Sequence, residues 1–408
     1  MKIVFLTENI FGDTVGGIES HIEYLSKSLV KKGVSVYILI PILGDQNKIL
    51  DNIVFIDAEL GSQIVVRKLI IKSHLKPVFL SLERFHGKGL GLVIALLNKF
   101  KFNFYKSKLV KQVELLSPDL VHQHDYIANI LASKKLSKKY PVVFTNHTGQ
   151  YLYLEKYLIT RLIQKYLISH FSWIIGPSKE LTPNNSKSLY IPNGADSDFF
   201  NPLPPDDINN LIQTYKLQGK KIFICPRRWA PTKGVLYFAE ALTLLSAYAL
   251  NNSVFLFAGS NSDDFKVYST EIEVFLQKIP IESYRLLGNL SHDQLLQYYN
   301  IADVVVIPSL MEATSLAAME GMACCTPVLS TNVGGMPEVV THGVTGWLVP
   351  PANANSIALL IEDIVNNVFN LKSMGRHARS FVVENRSWDF IAEKNIEIYK
   401  NVIKIKNG

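Results

Sequence analysis

Between Ile301 and Glu338 the chain reads IADVVVIPSLMEATSLAAMEGMACCTPVLSTNVGGMPE, an order of segment types that leaves few folds open. Ala302 to Ile307 is an apolar, β-branched run closed by Pro308 and Ser309, which predicts a buried parallel strand ending in a loop. Ser315 to Cys324, rich in Ala, Leu, Met and Glu, predicts a helix. Pro327 stops it, Val328 to Thr331 supplies the next strand, and Gly334-Gly335 makes a second loop on the same edge. The result is a β-α-β unit, and ligands in such sheets sit outside the carboxyl ends of the strands.

Two carboxylates belong to that edge. Glu312 lies in the first loop and Glu320 eight residues later, roughly 80° around a helix axis, so both can border one crevice. The amides from Ala313 to Ala317, with Thr314, Ser315 and Leu316 among them, offer donors and a positive dipole end that suit a phosphate. A carboxylate such as Glu320 can accept from two neighbouring hydroxyls, as on a ribose. Two solvated glutamates beside a packing turn would be the simpler reading, but it explains the Gly-Gly loop and the flanking apolar strands poorly.

The amino end repeats the pattern. Ile3 to Leu6 predicts a strand, a loop ends in Gly16-Gly17, and Ile18, Ile22, Leu25 and Leu29 recur at helical spacing before Gly33 and a strand over Val34 to Ile40. Asp119 to Asp125 ends a strand with His122 and His124 on one side. Two His alone lack the further ligand that a metal needs, so no metal is expected. Val142 to His147 is another strand, ending in His147-Thr148. Farther on, RRWAPTKG follows a strand over Ile222 to Pro226. Arg228 and Lys233, five apart in a loop ahead of an apolar helix, suit a clamp for a diphosphate, the alternative being plain surface charge.

The net charge of +7 is uneven. Residues 61–112 hold eleven cations against Glu83, a segment charge of +10 that leaves the remainder at −3. Interleaved with Ile, Leu, Val and Phe, this segment predicts one or two basic amphipathic helices. Such a field suits an anionic membrane surface or a phosphorylated acceptor; the alternative is a solvated helical face over an apolar core. No nucleic-acid motif accompanies it, so nucleic acid is not an expected partner. Cys225, Cys324 and Cys325 make no disulfide framework and fit a reducing cytoplasm. No apolar run is long enough to span a membrane, and MKIVFLTEN is too short in apolar residues for a signal peptide.

Pro308, Ser309, Glu312, Glu320, Met322, Ala323, Thr326 to Val328, Val333 to Glu338 and Gly343 to Pro351 together resemble the carboxyl-terminal domain of retaining nucleotide-sugar glycosyltransferases of the GT-B class, the family-four group. Leu189 to Phe200, LYIPNGADSDFF, resembles that family's I-P-N-G-V-D stretch closing the first domain. Arg228 and Lys233 match its G-R-L-x-x-x-K-G, with Arg227 where the family has Gly, and Cys325 also stands at a family Gly.

The resemblance implies an α/β fold of two Rossmann-like doubly wound domains facing a central cleft. It places an acceptor domain over 1–200, a donor domain over 201–386, and a terminal helix over 387–408 crossing back to the first domain. Pro202, Pro204 and Pro205 then read as the interdomain linker. Gly16, Gly17, Gly288, Asn289, Leu290, Thr314, Ser315, Leu316 and Glu320 would hold the donor, His147 and Thr148 the acceptor. Arg228, Lys233, Glu312 and His124 would carry the chemistry. A nucleotide diphosphate sugar is the expected co-substrate and a saccharide or lipid-linked glycan the acceptor, with no cofactor. A sugar-nucleotide epimerase on the same fold and a non-catalytic binding subunit are the rivals.

Overall fold

The computed structural model of the protein describes residues 1–8, 17–44, 48–57, 62–72, 101–124, 127–147, 158–259 and 265–408. The chain forms two compact units, Met1–Pro192 with Asp389–Gly408, and Asn193–Trp388.

The first unit is built on an eight-stranded sheet. Its strands are β1 (Lys2–Leu6), β2 (Ser35–Gly44), β3 (Lys48–Asp57), β4 (Ser62–Lys72), β5 (Leu120–Gln123), β6 (Val142–Thr145), β7 (Trp173–Gly176) and β8 (Ser188–Tyr190). They lie in the order β3-β4-β2-β1-β5-β6-β7-β8. All pairs are parallel except β3 with β4. Ile3 to Leu6 are fully buried, as a central strand covered on both faces requires. Connections leave β1 toward β2 on one side and later return to β5 on the other, so the carboxyl ends of β1 and β5 border a switch point. His124 sits there, its amide donating to the Leu6 carbonyl at 2.9 Å.

The second unit holds β9 (Lys221–Cys225), β10 (Ser253–Ala258), β11 (Tyr284–Gly288), β12 (Val304–Ile307), β13 (Val328–Thr331) and β14 (Gly346–Val349). Their order is β11-β10-β9-β12-β13-β14, all parallel. Period-two alternation explains the unbroken apolar runs. Phe223, Phe255, Phe257, Val304, Val306 and Leu329 enter one core with Phe238 and Ile357. Ile224, Leu256, Val305, Ile307 and Val328 enter the other with Tyr299, Met319 and Met322. Order reverses between β9 and β12, and their carboxyl ends make the second switch point.

Three expectations change. The basic helices expected over residues 61–112 are in part a strand: β4 pairs with β2 and β3. Its β-branched Ile64, Val65 and Val66 are buried with Leu69, and a sheet packs that run better than a helix surface. Arg67 reaches from it to Gln112 at 3.3 Å on the Lys106–Leu116 helix, while residues 73–100 lie outside the described residues. Strand β3 itself has no counterpart in the reading of the sequence.

The prolines near residue 202 are no linker. Pro204 caps and Pro205 opens the Pro205–Thr214 helix, and Asn300 binds both sides of Pro202, accepting from the Leu203 amide at 2.8 Å and donating to the Asn201 carbonyl at 3.0 Å. Unit two accordingly starts at Asn193 rather than after residue 200, with Phe200 buried against Tyr299. The Trp388–Asn407 helix contributes Asp389 onward to the first unit. There Tyr399 Oη meets His122 Nδ1 at 2.7 Å, Lys32 pairs with Glu393 at 2.8 Å, and Lys406 donates to the Ser137 carbonyl at 3.0 Å.

Candidate active site

In the second unit three loops at strand carboxyl ends converge on Glu312. The first follows β9: Arg227 is buried, Arg228 is exposed, and Lys233 ends a tight turn before Gly234. Gly234 has φ +65, and a Cβ there would stand 1.8 Å from the Pro308 carbonyl oxygen, so only glycine lets this loop lie against the end of β12. The Leu310 amide, donating to the Thr232 carbonyl at 2.9 Å, ties the first loop to the second. The third, after β13, is held by the Gly335 amide donating to the Glu312 carbonyl at 3.2 Å.

At their meeting point Glu312 Oε2 accepts from Arg227, from Lys233 Nζ at 2.9 Å and from Ser309 Oγ at 3.2 Å. Burial raises the carboxyl's pKa, but Arg227 and Lys233 outweigh it and hold it below the usual value. Lys233 is lowered in turn by burial and by Arg227, with a smaller push from Arg228. Arg228 is therefore near enough to Lys233 for its charge to be felt, with its side chain in solvent.

The helix expected over Ser315 to Cys324 spans Leu316–Ala323, with Ser315 as N-cap accepting from the Ala318 amide at 3.3 Å. Arg227 Nη1 also donates to Ser315 Oγ at 3.2 Å, and Asn193 Nδ2 to Thr314 Oγ1 at 3.0 Å. One turn farther, Glu320 is nearly buried and accepts from Tyr299 Oη at 3.1 Å. Burial lifts its pKa to about 7, against the opposing pull of the Tyr299 hydroxyl and Arg227. Arg227 thus pairs with one of the two carboxylates singled out from the sequence and acts through its charge on the other. Gly288, at φ +66, accepts from the Gly259 amide at 2.7 Å, and a Cβ on Gly259 would lie 2.4 Å from the Arg227 carbonyl oxygen. Asn289 and Leu290 follow directly, Asn289 exposed and Leu290 half-buried.

In the first unit His124 Nδ1 and His147 Nε2 are 3.1 Å apart, and His21 packs its ring 4.5 Å from that of His147. His122, on the same side as His124, is tied up by Tyr399 and by Thr145 at 2.7 Å. Burial, reinforced by neighbouring imidazoles, holds His122, His124 and His147 well below their ordinary pKa, hence neutral. The third imidazole absent from the reading of the sequence is His21, which joins His124 and His147 with ring nitrogens all within 4.8 Å. A three-nitrogen set is thus present, and two of its three imidazoles are joined to each other through His124 Nδ1 and His147 Nε2. Gly17 opens the Gly17–Val30 helix; Gly16 and Thr148 lie outside the described residues.

Sequence reasoning missed Arg227, His21 and Tyr299. The signal for Arg227 was the third cation in RRWAPTKG, and for His21 a polar residue on the helix face of Ile18, Ile22 and Leu25. Nothing in the sequence marked Tyr299.

The model for "Glycosyl transferases group 1" matches residues 207–401, and that for "Glycosyltransferase Family 4" matches residues 15–198. The chain belongs to this family of glycosyltransferases, and it has the GT-B fold of two parallel-sheet α/β domains. An uncharacterized glycosyltransferase of Methanocaldococcus jannaschii is 26% identical over 418 residues, spanning 98% of each chain. A GDP-mannose-dependent alpha-(1-6)-phosphatidylinositol monomannoside mannosyltransferase of Mycolicibacterium smegmatis is 25% identical over 245 residues, 56% of this chain and 59% of its own. The structure of Anabaena HepE in complex with UDP matches with a TM-score of 0.74 at 18% identity, over 98% of this chain and all of the other. No described helix is long and apolar enough to cross a membrane.

Proposed function

We propose that the protein transfers a sugar, with retention at the anomeric carbon, from a nucleotide diphosphate sugar to a saccharide or lipid-linked glycan of cell-envelope or polysaccharide synthesis. The observation that carries this reading is the convergence of Lys233, Arg227 and the capped Leu316–Ala323 helix on Glu312, at the switch point between β9 and β12. A departing diphosphate needs positive charge that is already in place, and Arg228, Lys233 and the helix-end amides supply it without a metal. Glu312 would hold sugar hydroxyls and Glu320 the ribose, with Gly288, Asn289 and Leu290 against the base. The family resemblance implies attack from the front face, with the leaving phosphate taking the acceptor proton.

His124 and His147, neutral and hydrogen-bonded to each other, offer a donor and an acceptor to a substrate hydroxyl. On the family resemblance, Thr148 would serve the acceptor with His147, and Gly16 and Gly17 would hold the donor. The cations of residues 61–112 would favour an anionic membrane face or a phosphorylated acceptor, in keeping with a phosphatidylinositol acceptor in one relative's name. The three cysteines, all free, accord with a reducing cytoplasm.

The test is a donor screen by thermal shift followed by turnover with Lys233→Ala and Glu320→Ala. Both variants are expected to lose transfer and keep their fold; either one retaining most of its turnover removes the assigned roles. Incubating the parent with donor alone separates transfer from epimerisation, since an isomerised sugar with no acceptor present would favour the rival.

A further inference from the structure

Arg227 replaces a glycine of the resembling family, and its side chain, only 9% exposed, is held inside the second unit through Nη1 and Nη2. It donates to Glu312 Oε2, to Ser309 Oγ at 3.3 Å and to Ser315 Oγ at 3.2 Å. Lys233 donates to the same Glu312 oxygen at 2.9 Å. One carboxylate oxygen therefore serves two cations, and Lys233 is the more exposed of them at 25%.

On the donor-site reading above, Lys233 has two competing anions: Glu312 in the free protein and the diphosphate in the complex. With glycine at 227, turning Lys233 to the diphosphate would leave a nearly buried carboxylate without a cation, which is strongly unfavourable. We propose that Arg227 is a positioning residue, the resident counter-ion of Glu312, which keeps that carboxylate neutralised and oriented while Lys233 turns to the diphosphate. This rests on the donor-site reading and deepens it. When Lys233 turns, Arg227 and Glu312 remain as a neutral pair, and Lys233 and Arg228 are both committed to the phosphates. The same guanidinium grips Ser315, the cap of the Leu316–Ala323 helix, so the helix-end amides and Glu312 share one anchor.

The test is a double-mutant cycle read by titration calorimetry with UDP, GDP and ADP. It compares the parent, Arg227→Met, Glu312→Gln and the double variant. Arg227→Met is expected to weaken diphosphate binding about tenfold in the parent background and less than about threefold beside Glu312→Gln, because a neutral amide needs no counter-ion. Arg227→Lys is expected to recover most of the affinity. Equal losses in both backgrounds overturn the inference, since Arg227 then acts on the phosphates directly or only on the fold. An equal loss for the matching nucleoside without phosphates overturns it as well. If the Met variant does not fold, Arg227→Gln takes its place in the same cycle. A parent that binds none of the three nucleotides defeats the donor-site reading itself; a parent that binds, with an additive cycle, defeats only the role of Arg227.

Discussion

The Tyr299 hydroxyl donates to Glu320 Oε2 at 3.1 Å, joining a fully buried ring to a nearly buried carboxyl that titrates near neutrality. The native carboxyl keeps its proton to about pH 7, whereas the ordinary value is 4.5. Between those values the folded state binds more protons than the unfolded one, so stability falls as pH rises and then levels off above about 7. Glu320→Gln is expected to remove that slope and to be more stable than the parent by about 3 kcal/mol at most above the window. Urea unfolding of both proteins at several pH values checks this. Equal slopes would show that the carboxyl ionises normally.

The same group sets a pH dependence for nucleotide binding. If Glu320 accepts from ribose hydroxyls, the ionised form is the better acceptor, and affinity should rise as pH increases through about 7. In the limit that only the carboxylate binds, the slope below that point is about tenfold per pH unit. Titration of a nucleoside diphosphate across this range should show the rise in the parent and lose it in Glu320→Gln.

Much of this site could be read before the fold was known, because its parts are local. The strand ending at Ile307, the loop with Glu312, the capped helix with Glu320 and the diglycine turn are contiguous, and period and turn chemistry fix their order. Arg227 was misjudged for the opposite reason. Its meaning lies in Glu312, eighty-five residues away, and in Gly259, whose missing Cβ admits its backbone. His21 has its partners more than a hundred residues on, at the ends of β5 and β6. The β4 error had a different cause: charge was weighed over β-branched content, so Arg67 and Lys68 concealed the strand character of Ile64 to Val66.

Gly234 gives a prediction about architecture. Its φ of +65 and the 1.8 Å approach of the Pro308 carbonyl oxygen leave no room for a side chain. Gly234→Ala should cost at least about 2 kcal/mol, from left-handed strain plus displacement of the β12 loop. Because that loop carries Glu312, the Lys233 contact should go with it. Denaturant unfolding and nucleoside diphosphate titration should therefore both deteriorate. An alanine variant of unchanged stability would mean that the two loops are not tied as described.

The last prediction concerns how the terminal helix stabilises the first unit. Tyr399 is buried on the Trp388–Asn407 helix, and its hydroxyl meets His122 Nδ1 at 2.7 Å, while His122 Nε2 meets Thr145 at 2.7 Å. Tyr399→Phe keeps the ring and removes one oxygen, leaving a buried ring nitrogen without that partner. The expected cost is about 1 to 3 kcal/mol, the penalty for an orphaned buried polar group. His122→Phe together with Tyr399→Phe removes both polar ends of that bond, although it also strands the Thr145 hydroxyl. The double variant should then lose less than the sum of the two single losses, because atoms that share a hydrogen bond couple. Denaturant curves for the four proteins measure the coupling, and strict additivity would mean that the bond contributes nothing to holding residues 389–408 onto the first sheet.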